Sequence, residues 1–337
     1  MFRRYDHVER LKNDKVEGIE CGDVYVFPKL DGTNASVWLE LTEFGALHVH
    51  CGSRTRQLSE DSDNAGFYKW VHEHENKVKF HKVHSEGGRD WVIYGEWLVP
   101  HTLKTYRQEA WRKFYVFDVY DRNQGKYLSY EKWEPTIRGV GLDVIEPLCV
   151  YTNPTDEQLQ REAEQNTYLI LDGAGCGEGI VLKNYEWANR EGNQIWAKIV
   201  RNEFKEENKR AFGTTEKNGE FQVEAAIAEE YVTQALVEKT RSKIVIELTD
   251  QDIIAGLETR PECADPDFLE KFYDVYKRVE ERHRAKLIPQ LLGTVYHDLI
   301  NEELWTAIKQ YKNPTIDFKK LQSYCILYTK RYAADLF

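Results

Sequence analysis

Residues 27–34 read Phe-Pro-Lys-Leu-Asp-Gly-Thr-Asn, directly after the alternating run Asp23-Val24-Tyr25-Val26. A lysine amine is a nucleophile only in its uncharged form, which cationic neighbours or removal from water favour. Lys29 stands two residues before Asp31, and Gly32 lets the backbone turn tightly behind it. The stretch could present an amine at the mouth of a nucleotide pocket. It could equally be a solvated turn between two strands, since so short a match arises by chance. Three further stretches carry chemistry. Arg54 and Arg56 lie in "CGSRTRQL" (51–58), where guanidinium groups could clamp phosphate oxygens or simply be solvated. Glu96 lies in "VIYGEWL" (92–98), a run otherwise suited to burial. A carboxylate there needs partners, and ribose hydroxyls would serve. In "FYVFDVY" (114–120) Tyr115 and Phe117 alternate to one face, for stacking on a purine or for the core. Glu178 precedes an apolar run, a good position for a hard oxygen ligand to magnesium. Lys183 and Lys198 each interrupt an apolar run. Facing inward from adjacent strands they would hold an anion; on an edge strand they would face solvent.

These residues sit on a recognisable framework. Strands are expected at 23–30, 35–41, 46–53, 91–99, 113–120, 179–185 and 195–201, from β-branched and aromatic residues and period-two alternation. Helices are expected at 67–82, at 128–139 with Trp133, Ile137 and Val140 on one face, and at 155–169, where Thr155 can cap an acidic first turn. The last third changes character. Residues 210–221 read as a linker, and helical spacing follows: Ile227, Tyr231 and Ala235; then Phe268, Phe272, Val275, Tyr276 and Val279; then Phe318, Leu321, Cys325 and Tyr328. Asp265-Pro266 offers an N-cap followed by proline at the first helical position.

Composition bounds the classes available. The 337 residues suffice for one large domain or two ordinary ones. With 41% hydrophobic and 31% charged residues the chain is a folded globular protein, neither low-complexity nor collagen-like. No apolar run reaches the roughly 18 residues of a membrane span, so no membrane partner is expected. The charged N-terminus lacks an apolar core, so no signal peptide is expected. Six scattered cysteines without Cys-x-x-Cys fit a reducing cytoplasm better than a zinc ribbon or disulfide scaffold. The pairs His48/His50, His72/His74 and His81/His84 have no cysteine companions and are read as surface or structural. A net charge of −11 disfavours a passive nucleic-acid binder but allows an enzyme with a local basic groove. The runs "EKTRSK" (238–243) and "YKRVEERHRAK" (276–286) could grip a duplex backbone, or be solvated helix faces.

The order of the motifs adds what none carries alone. K-x-D-G-x-N, an arginine, Y-G-E, an F-D strand, E-G-x-V-x-K and a lysine strand follow one another from Lys29 to about Lys205. In this the chain resembles the covalent nucleotidyltransferase superfamily, ATP-dependent polynucleotide ligases and mRNA capping enzymes. It is most similar to the RNA ligase 2 family of bacteriophage-type ATP-dependent RNA ligases. Asn34 fits RNA ligases, where DNA ligases and capping enzymes usually carry arginine. The resemblance implies an α+β fold. A nucleotidyltransferase domain (ATP-grasp-like ligase) on antiparallel sheets would span 1–212, and a small helical RNA-binding domain 221–337. It implies Lys29 as the nucleophile toward the α-phosphorus of ATP, giving lysyl-AMP. Leu30, Asp31 and Asn34 would shape the nucleotide site, and Arg54, with Arg56 as runner-up, would fill the next motif. Glu96 would bind ribose, Phe117 would stack on adenine, and Lys183 and Lys198 would face the nucleotide, Lys198 at the α-phosphate. Glu178 would hold Mg2+, with Mn2+ as an alternative. The partner implied is RNA with 5′-phosphate and 3′-hydroxyl ends in a nicked duplex. A monomer in the cytoplasm, the host's if the protein is phage-encoded, completes the expectation. The rivals are an ATP-dependent DNA ligase, a capping guanylyltransferase, and a non-catalytic RNA-end-binding protein of the same fold. Two departures stand out: Val200 occupies the second lysine position of the last motif, with Arg201 next, and Pro28 stands where a polar residue could read adenine.

Overall fold

The computed structural model describes residues 2–42, 45–100, 106–201, 223–261 and 267–337. Up to Val200 they form one compact unit, and from Arg201 onward a second. The expected linker at 210–221 and the Asp265-Pro266 cap lie outside the described residues.

Among its described residues the first unit carries eleven strands. These are β1 (Glu9–Arg10), β2 (Asp23–Lys29), β3 (Thr33–Leu41), β4 (Leu47–Ser53), β5 (Trp91–Leu98), β6 (Lys113–Asp121), β7 (Lys126–Tyr127), β8 (Asp143–Val144), β9 (Cys149–Thr152), β10 (Gly179–Lys183) and β11 (Ala197–Val200). Its helices are α1 (Phe67–His72), α2 (His74–Ser85), α3 (Tyr130–Gly139) and α4 (Asp156–Gln165). The strands form a five-stranded sheet, β1-β11-β10-β2-β9, and a six-stranded sheet, β4-β3-β5-β6-β7 with β8 beside β6. All pairings are antiparallel except β1 with β11 and β6 with β8.

Alternation decides which face each sheet buries. From the first sheet, Val24, Val26, Ile180, Leu182 and Ala197 pack under α4 through Leu159 and Ala163. Thr155 caps α4 in a reciprocal pair with Gln158, the N-terminus expected from the sequence. The second sheet is covered by α1 and α2, with Phe67 and Trp70 tilted against Trp97 and Phe114. The expected single helix at 67–82 is two helices, because Glu73 adopts an extended conformation between them. Between the sheets lie two clusters. Phe27, Leu30, Leu98, Tyr106 and Tyr115 form one; Tyr5, Trp38, Tyr94, Tyr127 and Trp196 form the other.

The α-helices among the second unit's described residues are α5 (Val223–Tyr231), α6 (Gln234–Ile254), α7 (Phe268–Arg282), α8 (Arg284–Asp298), α9 (Leu304–Gln310) and α10 (Phe318–Tyr332), and no strand is found among those residues. Phe272, Val275, Tyr276 and Val279 join Ile227, Tyr231, Leu321, Cys325 and Tyr328 in one core, and Phe268 is also buried. Phe318, expected on the same stripe as Leu321, is exposed, since it opens α10 before the buried face begins. Among the described residues no helix is long and apolar enough to cross a membrane.

Candidate active site

β2 leaves the first sheet at Lys29, and β3 enters the second at Thr33. The four-residue motif is therefore the crossing between two sheets. In the register, Lys29 opposes Gly179, Phe27 opposes Val181, and Val181 opposes Lys198. Antiparallel partners share a face, so Lys29, Lys183 and Lys198 stand on the face turned away from the α4 core. Lys29 Nζ donates to Glu178 Oε2 at 2.5 Å, across 149 positions of sequence. Both side chains are mostly buried.

Glu178 is fixed by the glycines on either side. A Cβ on Gly179 would lie 2.1 Å from the Ile199 carbonyl oxygen, and its φ of +152° is one that side-chain-bearing residues rarely adopt. A Cβ on Gly177 would meet the Asn166 side chain at 2.9 Å. Buried Asn166 spans the pair, accepting from Gly177 N and donating to Gly179 O. Nothing in the sequence pattern marked Asn166.

The far side of the crossing is held by the second sheet. Gly32 N donates to Glu96 Oε1 at 2.9 Å. A Cβ on Gly32 would lie 2.7 Å from the Trp97 carbonyl oxygen, so only glycine permits the approach. Asp31 N donates to the hydroxyl of Tyr106 at 2.8 Å. Burial, reinforced by the charge of Asp31, raises that phenol's pKa well above its usual value and keeps it neutral. Asn34 pairs with Glu96 in the register, and its buried Oδ1 accepts no hydrogen bond. Leu30 packs in the intersheet cluster. Three carboxylates, Asp31, Glu96 and Glu178, thus surround the turn that carries Lys29.

The aromatic candidates separate. The β5–β6 register shifts between Tyr94 and Gly95, leaving Phe117 without a partner in the ladder. Tyr115 is buried, with its hydroxyl on the Ala110 carbonyl. Phe117 remains partly open against both intersheet clusters. Lys183 is not positioned as an anion ligand. Only 1% exposed, it lies 2.8 Å from Asp118 and donates to the Phe117 carbonyl. Asp118 also accepts from Tyr5 at 2.6 Å and Trp196 at 2.9 Å. Burial raises the pKa of Asp118 and lowers that of Lys183. The sequence left open whether Lys183 faces inward or toward solvent; it faces inward, and the acid across from it, on the other sheet, was not legible.

The remaining candidates lie further out. Arg54 is exposed after β4 with Nη2 3.0 Å from His7, and Arg56 donates to Ser62. β11 ends at Val200, so Arg201 follows the strand and is buried. His50 stacks on Trp38 and His72 on Tyr68. Among the described residues no three His, Cys, Asp or Glu side chains gather to form a metal site. Glu178 is nonetheless a fitting oxygen donor for magnesium, which takes one or two carboxylates together with substrate phosphates.

The architecture is an α+β domain of two antiparallel sheets that brings a lysine and three carboxylates to the crossing between them. The RNA ligase family model matches residues 22–200, more than half of the chain, and the chain belongs to that family. Among solved structures, a Naegleria gruberi RNA ligase variant with ATP and Mn is 20% identical, covering 60% of this chain and 56% of that one, with a TM-score of 0.46. The same organism's RNA ligase with PPi is 21% identical, with 62% and 58% covered and a TM-score of 0.46. A variant with AMP and Mn gives 21%, 60% and 56%, and 0.45. The chain spans somewhat over half the length of these structures. No curated protein matches it.

Proposed function

We propose that this chain is an ATP-dependent RNA ligase that joins 3′-hydroxyl and 5′-phosphate RNA ends, sealing nicks in duplex RNA. The observation that carries the reading is the contact of Lys29 with Glu178, beside a turn whose Gly32 amide is held by Glu96. Motif residues far apart in sequence meet at one amine.

In this reading the Lys29 amine attacks the α-phosphorus of ATP. An N–P bond forms, the bond to the bridging oxygen breaks, pyrophosphate leaves with the electron pair, and the nitrogen releases its proton. A 5′-phosphate oxygen of RNA then attacks the lysyl-AMP, returning the amine and giving RNA-adenylate. Finally the 3′-hydroxyl attacks the 5′-phosphorus and AMP departs. Each step is an in-line phosphoryl transfer, in which positioning and charge supply most of the catalysis. Glu96 serves the ribose, and Phe117, with its partly open ring, serves the adenine. Lys198, on the face of Lys29, serves the α-phosphate. Asp31 and Asn34 shape the turn, the unengaged Asn34 Oδ1 being available to nucleotide or RNA. Arg54 serves phosphates. A magnesium or manganese ion held by Glu178 would neutralise phosphate oxygens and engage the carboxylate that otherwise receives the Lys29 proton.

The second unit favours an RNA ligase over a DNA ligase or capping enzyme. Its described residues are helices, where those relatives usually carry a strand-rich domain. Free cysteines at the five described positions suit a reducing cytoplasm. The test is covalent labelling with α-labelled ATP and magnesium on a denaturing gel. A band from ATP that Lys29→Ala abolishes is expected. A band from GTP alone would point to capping. Folded, AMP-free protein that takes no label from either nucleotide would overturn the enzyme reading.

A further inference from the structure

The two basic runs visible in the sequence are engaged inside the second unit. Arg241 holds Glu280 and Asp335. Arg278 pairs with Glu258, and Arg282 with Asp252 and Glu258. Arg284 donates to the Leu336 and Asp335 carbonyls, and Lys286 to Gln251. These arginines fasten helices to one another and to the chain end.

A different element carries open positive charge. α10 reads Phe-Lys-Lys-Leu-Gln-Ser-Tyr-Cys-Ile-Leu-Tyr-Thr-Lys-Arg-Tyr, with four cations and no acidic residue, in a chain of net charge −11. At about 100° per residue, Lys319, Ser323, Leu327 and Lys330, with Lys320 and Arg331, fall within about 120° of one face. All six are exposed, while Leu321, Cys325 and Tyr328 on the opposite face are buried. Lys319 and Lys330 are three turns apart, about 16 Å along the axis. Lys319, Lys320 and Lys330 form no ion pair among the described residues. Lys330 lies 5.1 Å from the Phe337 ring, a contact that orients a cation without neutralising it, and Arg331 stacks over Tyr328. The adjacent carboxylate, Asp317, is engaged as the helix cap, accepting from Lys319 N and Lys320 N.

From this we infer that the exposed face of α10 is a docking surface for the phosphodiester backbone of RNA. The inference rests on the RNA ligase reading and assigns that activity a place on the second unit. Spaced cations on a rigid rod match a line of phosphates. Leu327 and the Phe337 ring beside Lys330 are the large apolar side chains exposed there among the described residues, and two separate groups are too little for a membrane, which needs a continuous apolar stripe. On an acidic body such a stripe also orients an approaching polyanion by repelling it elsewhere.

The test uses the full-length chain and two probes, a 5′-phosphorylated nicked RNA duplex and a single-stranded RNA of the same length. Binding is followed by fluorescence anisotropy over a salt series. Lys319→Gln/Lys320→Gln/Lys330→Gln should lower the slope of log affinity against log salt by about 0.7–0.9 per lost contact and weaken low-salt binding by about tenfold or more. The triple lysine-to-arginine variant should bind as wild type. Labelling of Lys29 by ATP should be unchanged in both, which reports an intact first unit. A larger loss on the nicked duplex assigns the face to duplex RNA, and a larger loss on the single strand assigns it to an unpaired end. If wild type binds RNA and takes label while the glutamine variant binds with unchanged slope and affinity, the docking inference is overturned and the enzyme reading stands. If wild type neither labels nor binds RNA, the reading beneath it has failed.

Discussion

Replacing Lys183 by methionine decides what this buried lysine does. It lies 2.8 Å from Asp118, which is 0% exposed. At an effective dielectric of about 20, charges at that distance attract by about 6 kcal/mol, against a desolvation cost of several kcal/mol for each ion. The pair's net contribution is therefore small, yet breaking it is costly. Methionine fills the same space and leaves a carboxylate among Phe27, Phe117 and Trp196, whose rings surround the Lys183 ammonium. The expected loss is about 3–5 kcal/mol. With an m-value of about 2 kcal/mol/M, the urea midpoint should fall by about 2 M. Adding Asp118→Asn removes the stranded charge and keeps an oxygen for Tyr5 and Trp196. The double variant should return to within about 1–2 kcal/mol of wild type. A pH signature accompanies the single variant. Burial raises the folded pKa of Asp118, so the variant's carboxyl takes up a proton on folding. Below the unfolded value of about 3.9 the deficit is absent. It grows as pH rises toward the folded value and is constant above it. Urea melts across pH, with ATP labelling of both variants, check this. A single variant as stable as wild type would refute the bridge. A double variant that folds as wild type yet cannot label Lys29 would leave the bridge standing as a stabilising contact and show that labelling needs the pair itself.

Two further outcomes follow from geometry. Gly179→Ala sets a Cβ 2.1 Å from the Ile199 oxygen and should push β10 off β11, moving Glu178. We expect a loss of more than about 2 kcal/mol, from backbone incompatibility and overpacking together, and loss of ATP labelling; a thermal melt and the labelling gel read both. In the second unit, Arg278 hydrogen bonds hold the Glu258 pKa below its ordinary 4.5, with Arg282 contributing. That contribution is complete above the unfolded value and disappears as pH falls through the folded one. Glu258→Gln should flatten the acid limb of the unit's unfolding, followed by circular dichroism from pH 6 downward, and an unchanged limb would remove the network from the account.

The framework was largely legible because alternation is a strong signal where one sheet face is buried. The seven expected strands all lie within two residues of expectation at each end. The short strands β1, β7, β8 and β9 were not legible, because two to four residues carry no period. Glu73 interrupts α1 and α2 without glycine or proline to announce it. Lys29, Glu96 and Glu178, picked out by motif spacing, lie together at the crossing, beside glycines that sterics require. Motif spacing could not distinguish Lys183 from Lys198, which share a face. What separates them is Asp118, supplied by the other sheet. The same limit affected the basic runs of the second unit, whose neutralising carboxylates come from distant helices.

The spacing of Lys29-Leu30-Asp31-Gly32 has a structural cause beyond the chemistry of its members. β2 and β3 belong to different sheets, and the three residues after Lys29 carry the chain across. A side chain anywhere else would be positioned by one sheet alone. At the crossing, β10 fixes Lys29 through Glu178, and β5 fixes Gly32 through Glu96. Close transfer geometry tolerates errors of about 0.5 Å, which only rigid elements on both sides can meet. The sheets must then not slide past one another. The buried Asp118–Lys183 bridge joins a strand of each, with Tyr5 and Trp196 satisfying the acid from the N-terminal segment and from the residue before β11. Through that bridge the sheet that carries Phe117 and Glu96 is tied to the sheet that carries Lys29.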